Sequence, residues 1–168
     1  MVDEFDQLDH LRRWLPRQGA KTWHQVALTW NWDNGVETLN WILDQPSCDR
    51  GTAIALYLLG EPGFYAEKFA SLDEMRAADH FGVKNAEFLA GICRRWADGA
   101  FPLYRYHPGY WWDRARLWDD VPPGVVSANA PWPVPATMVA APLRGEAVDL
   151  SGFYEGMPKA WFDWNSGT

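Results

Sequence analysis

Between residues 121 and 143 the chain carries six prolines and no charged side chain. Proline lacks a backbone N–H and fixes φ, so this density excludes a helix through the stretch and excludes a central strand. A segment so poor in charge would not stay solvated as a linker. It therefore reads as an extended length of chain lying against a folded body and held there by aromatic packing, the alternative being a mobile arm. The residues just before it support the packed reading, because 101–118 hold seven aromatics: Phe101, Tyr104, Tyr106, Tyr110, Trp111, Trp112 and Trp118. Trp161-Phe162-Asp163-Trp164 is expected to dock in the same manner.

The body it lies on is expected in the first hundred residues, which read as helices. Phe5, Leu8, Leu11 and Leu15 recur at helical spacing and stop at Pro16. Trp23, Val26, Ala27 and Trp30 form a second apolar stripe, followed by a turn at Asn31-Trp32-Asp33-Asn34-Gly35. A third helix carries Val36, Leu39, Ile42 and Leu43, with Asn34 placed to cap it and Glu37 to reach back. A fourth starts near Asp49 and stops at Gly60, before the Pro62-Gly63 turn. Ser71-Leu72-Asp73-Glu74 is a capping box for a short helix. Phe88, Leu89, Ile92, Cys93 and Trp96 then stripe a helix ending near Gly99. The expected fold is mainly α, with antiparallel helical hairpins in a two-helix rhythm suggestive of helical repeats, although no sequence period establishes one. Residues 1–100 would form the α-helical domain, and 101–168 an aromatic- and proline-rich extension packed on it. At 168 residues a full core is available, with roughly 70% of the unfolded surface buried.

Charge and cysteine usage remove several classes of function. The chain has 22 acidic and 15 basic side chains, a net charge of −7, and the acidic excess is spread evenly from end to end. There is no basic run, so no surface for tracking a nucleic-acid backbone is expected. An acidic surface would instead steer a basic partner inward, or simply keep the protein in solution. Cys48 and Cys93 form no CxxC pair. His10, His24, His80 and His107 stand apart, so no metal site and no cofactor is expected. Two isolated cysteines read as small buried hydrophobes in a reducing compartment. The acidic Met1-Val2-Asp3-Glu4-Phe5-Asp6 start does not look like a secretory signal, and no apolar run is long enough to span a membrane. The expected location is the cytoplasm.

Some residues can still be drawn as chemistry. Cys48 beside Asp49, with His24 upstream, has the composition of a nucleophile, an orienter and a base. The competing reading is a buried structural cysteine at a helix entrance. Asp33, Asp44 and Asp49 could serve a divalent cation or a basic partner. Each also sits at a helix end, and capping is the preferred role for Asp33 and Asp49. No phosphate loop or Ca²⁺ loop occurs. The twelve tryptophans divide equally between the helical half and the remainder. Those on helical stripes with aliphatic neighbours read as core and not as a sugar- or base-stacking platform.

One stretch carries a family resemblance. Thr22-Trp23-His24-Gln25-Val26-Ala27-Leu28-Thr29-Trp30-Asn31-Trp32-Asp33-Asn34-Gly35 runs on into Ile42-Leu43-Asp44-Gln45-Pro46. Cys48-Asp49-Arg50-Gly51-Thr52-Ala53 and Leu56-Tyr57 follow. This order and spacing resemble the bacterial domain of unknown function family numbered 4274, over about residues 20–98. Trp30 stands where that family often has Tyr, and Ile54 where it often has Leu. The resemblance implies a small bacterial α-helical protein and carries over no catalytic residue. Asn31, Asp33 and Gly35 are read as builders of a turn, and Asp49 with Thr52 as the start of a helix.

The functional expectation is a non-catalytic binding protein, specifically an immunity-type protein that neutralises a bacterial toxin through contact with a basic toxin domain. The alternatives are a helical-repeat-like module that binds a peptide or protein, and an enzyme built on His24, Cys48 and nearby acids. The partner contacts expected are acids beside aromatics: Trp112, Asp113, Trp118, Asp119 and Asp120. Adjacent Trp111 and Trp112 cannot both point inward in regular structure, and Asp119-Asp120 precedes the uncharged proline segment.

Overall fold

Helix α1, Glu4–Trp14, opens the computed structural model of the protein, which describes residues 4–109 and 126–162. Pro16 ends α1 by diverting the chain into a 3₁₀ turn, Leu15–Arg17, where a missing N–H costs little. The indole of Trp23 donates to the Leu15 carbonyl at 3.0 Å and so fastens α2, Ala20–Leu28, across that turn. Past α2, Trp30 is buried and donates to the Gly35 carbonyl at 2.9 Å. Between them lies a 3₁₀ turn, Trp32–Asn34, capped by the Asn31 side chain, which accepts from the Asp33 N–H at 3.0 Å. The cap expected from Asn34 does not form. Asn34 closes the 3₁₀ turn, and α3, Glu37–Leu43, starts after Val36 with no side-chain cap. Asn31 reaches the free N–H groups first because they belong to the nearer turn.

Helix α4, Arg50–Leu59, is capped by Asp49, and every residue from Gly51 to Tyr57 is buried. A helix apolar on all sides belongs at a centre, and α4 packs on both α2 and α7, Val83–Ala97. Short helices α5, Pro62–Ala66, and α6, Leu72–Ala77, also pack on α7. Ser71 accepts from the Glu74 N–H at 3.1 Å as the capping box predicts. The Glu74 carboxylate goes one residue further back than usual, to the Ala70 N–H at 2.7 Å.

Helix α7 terminates at Gly99, whose φ of 74° is open to glycine at little cost. The Ala100 N–H then bonds to the Arg95 carbonyl and the Gly99 N–H to the Trp96 carbonyl, a Schellman stop. Residues 101–109 run extended across the N-terminus of α4. Further on, Val126, Trp132, Met138, Ala141 and Met157 enter the same buried cluster as the helical residues. The described part of the proline segment, 126–143, thus contributes to the core, and it is not extended throughout. Pro135 precedes a single helical turn, α8, Ala136–Val139, since a proline obstructs a helix from within but not from its entrance. A two-residue hairpin follows, β1, Phe153–Tyr154, against β2, Met157–Pro158, with Tyr154 opposite Met157. Trp161 then docks edge-on to Trp14 at 5.3 Å and to His10 at 4.5 Å. With eight α-helices and one two-stranded sheet among the described residues, the protein is mainly α. Asp163 and Trp164 lie outside the described residues.

Candidate functional site

Asp49 is fully buried and ionisable, so its surroundings must satisfy it or it would destabilise the fold. One carboxylate oxygen accepts from the Gly51 N–H at 2.9 Å, the N-terminal cap of α4, and from the Tyr106 N–H at 3.2 Å. The other accepts from the Arg105 N–H at 2.8 Å, with the Arg105 guanidinium at 3.5 Å. A single side chain thereby starts a helix and holds a strap, residues 101–109, that comes from more than fifty positions along the chain. Neighbouring backbone completes the attachment. The Arg50 N–H donates to the Leu103 carbonyl at 2.7 Å, the Arg50 side chain donates to the Phe101 carbonyl at 3.1 Å, and its guanidinium lies 5.0 Å from the Trp96 ring centre. A Cβ on residue 51 would collide with the Tyr106 carbonyl, so the strap can lie this close only over glycine. On its outer edge the strap bonds to 146: Glu146 N–H donates to Arg105 and His107 N–H donates to Glu146, at 2.7 and 2.9 Å.

His24, also fully buried, faces the same strap from α2. Its Nε2 lies 3.1 Å from the His107 carbonyl, and its Nδ1 lies 2.8 Å from the Thr52 hydroxyl. A carbonyl can only accept, so Nε2 carries the proton. Burial lowers the imidazole pKa to about 4, against smaller opposing effects of the His107 carbonyl and of Asp49, so the ring is neutral at pH 7. In that tautomer Nδ1 accepts from Thr52 O–H. Tyr106 covers the ring at a centroid distance of 5.3 Å.

Cys48 and His24 are not brought into the relation that a nucleophile and base require. Both His24 nitrogens are engaged with Thr52 and His107, whereas the buried Cys48 thiol points to the Asp49 carbonyl at 3.8 Å. Burial pushes its pKa up to about 12, the opposite of an activated thiolate. Cys93 is similar, with burial raising it to about 11 beside Tyr57 and Trp132. There the Trp132 indole donates to the Tyr57 hydroxyl at 3.2 Å and anchors the proline segment over α4 and α7. Asp33 belongs to the 3₁₀ turn. Asp44 is held by Arg95 at 2.7 Å. Asp49 is a cap, as its position suggested. Among the described residues no group of three His, Cys, Asp or Glu side chains is placed to hold a metal ion, and no helix is long and apolar enough to cross a membrane. The expected partner contacts Trp112, Asp113, Trp118, Asp119 and Asp120 lie outside the described residues.

Residues 18–97 match the model of a domain of unknown function, DUF4274. That is the segment from just ahead of α2 to the last residue of α7. The resemblance carried by His24, Cys48, Asp49, Gly51 and Thr52 therefore holds. No curated protein and no solved structure matches the chain. The DUF4274 residues most able to do chemistry, His24 and Asp49, are directed at backbone groups of 105–107, beyond the matched segment. Sequence reasoning found Asp49 as a cap but missed the strap. The strap offers the site peptide N–H and C=O groups, which every residue type carries, so no motif could announce it.

The structure shows two features that the sequence reading did not single out. An open cleft of about 660 Å³ lies between α6, α7 and the Pro131–Pro135 stretch, lined in part by Arg76, Arg94, Cys93 and Trp132. On another part of the surface, Phe81 is 89% exposed and stacked on His80.

Proposed function

We propose that this chain is a non-catalytic binding protein of the immunity type, acting in the cytoplasm by direct contact with a basic bacterial toxin domain. The observation that carries this reading is the internal saturation of His24, Thr52 and Asp49. The polar residues of the DUF4274 pattern are buried and hydrogen-bonded to the protein's own chain, which is what an architectural role requires. Function then falls to the surface, and that surface belongs to a chain of net charge −7. Acidic inhibitors gain association rate on basic targets through long-range attraction, which weakens with salt.

The test is co-expression with the neighbouring reading frames of its own genome. The expected result is a 1:1 complex with a basic product, loosened several-fold between 50 and 500 mM salt, and relief of that product's toxicity. Absence of both complex and relief for every neighbour overturns the reading.

The cleft along Pro131–Pro135 favours a second reading, an interaction module that takes a peptide. In that case binding would follow short peptides in place of a folded basic domain, and substitution of Arg94 at the cleft edge would weaken it.

A further inference from the structure

The exposed aromatic group on α5 and the α6–α7 turn has the construction of a preformed contact. Phe81 is 89% exposed, and Phe64 is 37% exposed. A lone exposed phenylalanine would be ordinary, but this one is held. The His80 ring stacks on it at a centroid distance of 4.4 Å and an interplanar angle of 29°. His80 is itself fixed by Phe69, edge-on at 4.9 Å, and by the Gly82 N–H, which donates to its Nδ1 at 3.1 Å. Phe64 stands edge-on to Tyr65 at 5.3 Å, and Tyr65 packs on the core residue Trp132 at 6.1 Å. The group is therefore a run of ring contacts leading out from the core to an exposed ring face.

Backbone strain maintains it. Asp79 closes α6 with a left-handed φ of 48°, a conformation that usually falls to glycine. The His80 N–H reaches the Met75 carbonyl and the Asp79 N–H the Arg76 carbonyl, the same Schellman pattern as at Gly99. This stop turns the chain so that His80 and Phe81 leave the helix side by side.

The surroundings select the partner's charge. Residues 61–87 carry six carboxylates and three cations, and Glu61, Glu67 and Asp79, on the same segments as the rings, are exposed. Of the cations, Arg76 is paired with Asp73 and Glu87, at 2.8 and 2.9 Å, the Lys68 ammonium sits 3.8 Å above the Phe64 ring, and Lys84 is exposed in the first turn of α7, so the segment stays acidic by three charges. That Lys68 contact displays the chemistry in miniature, an ammonium on an aromatic face with carboxylates close by.

We propose that Phe81, stacked on His80 in a segment whose exposed charge is in acidic excess, is the docking point for a basic protein surface, which places a Lys or Arg side chain on the open face of the Phe81 ring. The proposal rests on the binding-protein reading and names the site of contact within it. An exposed aromatic stacked on a neighbouring ring, in a segment of opposite charge, is how an interface concentrates its affinity.

The test uses the full chain, ¹⁵N-labelled, and two synthetic peptides of equal length, one rich in Arg and Lys and one rich in Glu. The expected result is that only the cationic peptide moves the amide signals of residues 61–69 and 79–84, with affinity falling at least tenfold in Phe81→Ala and retained in Phe81→Trp. At 89% exposure Phe81→Ala should melt within about a degree of the parent, so loss of binding would not be loss of fold. Cationic binding that ignores Phe81→Ala, or that maps to other residues, removes this surface while leaving the binding-protein reading intact. No cationic binding by the unaltered chain, together with no basic partner among the co-expressed products, removes both. Dimerisation abolished by Phe81→Ala, with no peptide response, would make the patch a contact between copies and overturn the proposal.

Discussion

The Asp49–His24 centre and the His80–Phe81 group are both unusual local constructions, and they are opposites. In the first, chemically capable side chains are buried without exposure and directed at their own backbone. In the second, a half-buried histidine supports a phenylalanine ring that is left exposed. Each contains a backbone feature that restricts the residue there: Gly51, where a Cβ would strike the strap, and Asp79, where φ is left-handed. The lesson is that rigidity does not distinguish structure from function; the direction in which the rigid group faces does.

That contrast can be broken by substitution. The largest effect is expected at Gly51→Val, which forces the strap off α4. The loss should exceed about 4 kcal/mol in denaturant unfolding, since the obstructing atom is backbone and cannot step aside. A mild effect would show that the strap is dispensable. Asp49→Ala removes the helix cap and leaves the Arg105 and Tyr106 N–H groups without their acceptor, for an expected loss of about 3–5 kcal/mol. Asp49→Asn keeps one accepting oxygen and should lose only about 1–2 kcal/mol.

Acidification tests the same centre without mutation. His24 has a pKa near 6.5 when unfolded and about 4 when folded. Between those values the unfolded chain binds the extra proton, so stability is complete above pH 6.5 and declines as pH falls toward 4. The shift corresponds to about 3 kcal/mol. Chemical unfolding from pH 7 to pH 4 should show this slope, and His24→Gln should flatten it. A slope unchanged in His24→Gln would assign it to other groups.

At the outward-facing group the effects on stability should be small. Asp79→Gly relieves the left-handed strain and is expected to stabilise by about 0.5 kcal/mol, visible as a slightly higher midpoint. Phe81→Ala should stay within about 0.5 kcal/mol of the parent. A destabilisation of 2 kcal/mol there would mean that the ring serves the core, and the contrast would fail.

Much of the helical half was legible from local signals. Apolar stripes placed α2, α4 and α7, Ser71 placed α6, Gly99 placed the end of α7, and Asp49 declared its cap. The burial of Val126, Trp132, Met138 and Ala141 fits a stretch that carries no charge. Four things were not legible. The short α8 turn depends on Pro135 acting as an entrance, which composition alone cannot distinguish from a block. The cap of the 31–34 turn went to Asn31 and not to Asn34 because two adjacent turns competed for one asparagine pattern. The partners of His24 and Asp49 were hidden because they are peptide groups distant in sequence. The outward placement of Phe81 was hidden too, since it depends on a left-handed Asp79 where a glycine would have signalled the turn.

The strap also bears on the order in which this protein can be made. Helices α2 and α4 precede residue 107 in the chain, and at ordinary rates of synthesis the ten residues after 97 are added within about 0.5–2 s. During that interval the Asp49 carboxylate has its Gly51 cap but lacks Arg105 and Tyr106, and the His24 imidazole lacks its carbonyl. A helical unit without residues 105–107 would leave that carboxylate and imidazole open to water. Residues 105–107 close it, so the centre of the molecule is completed by a segment that follows α2, α4 and α7 in the chain.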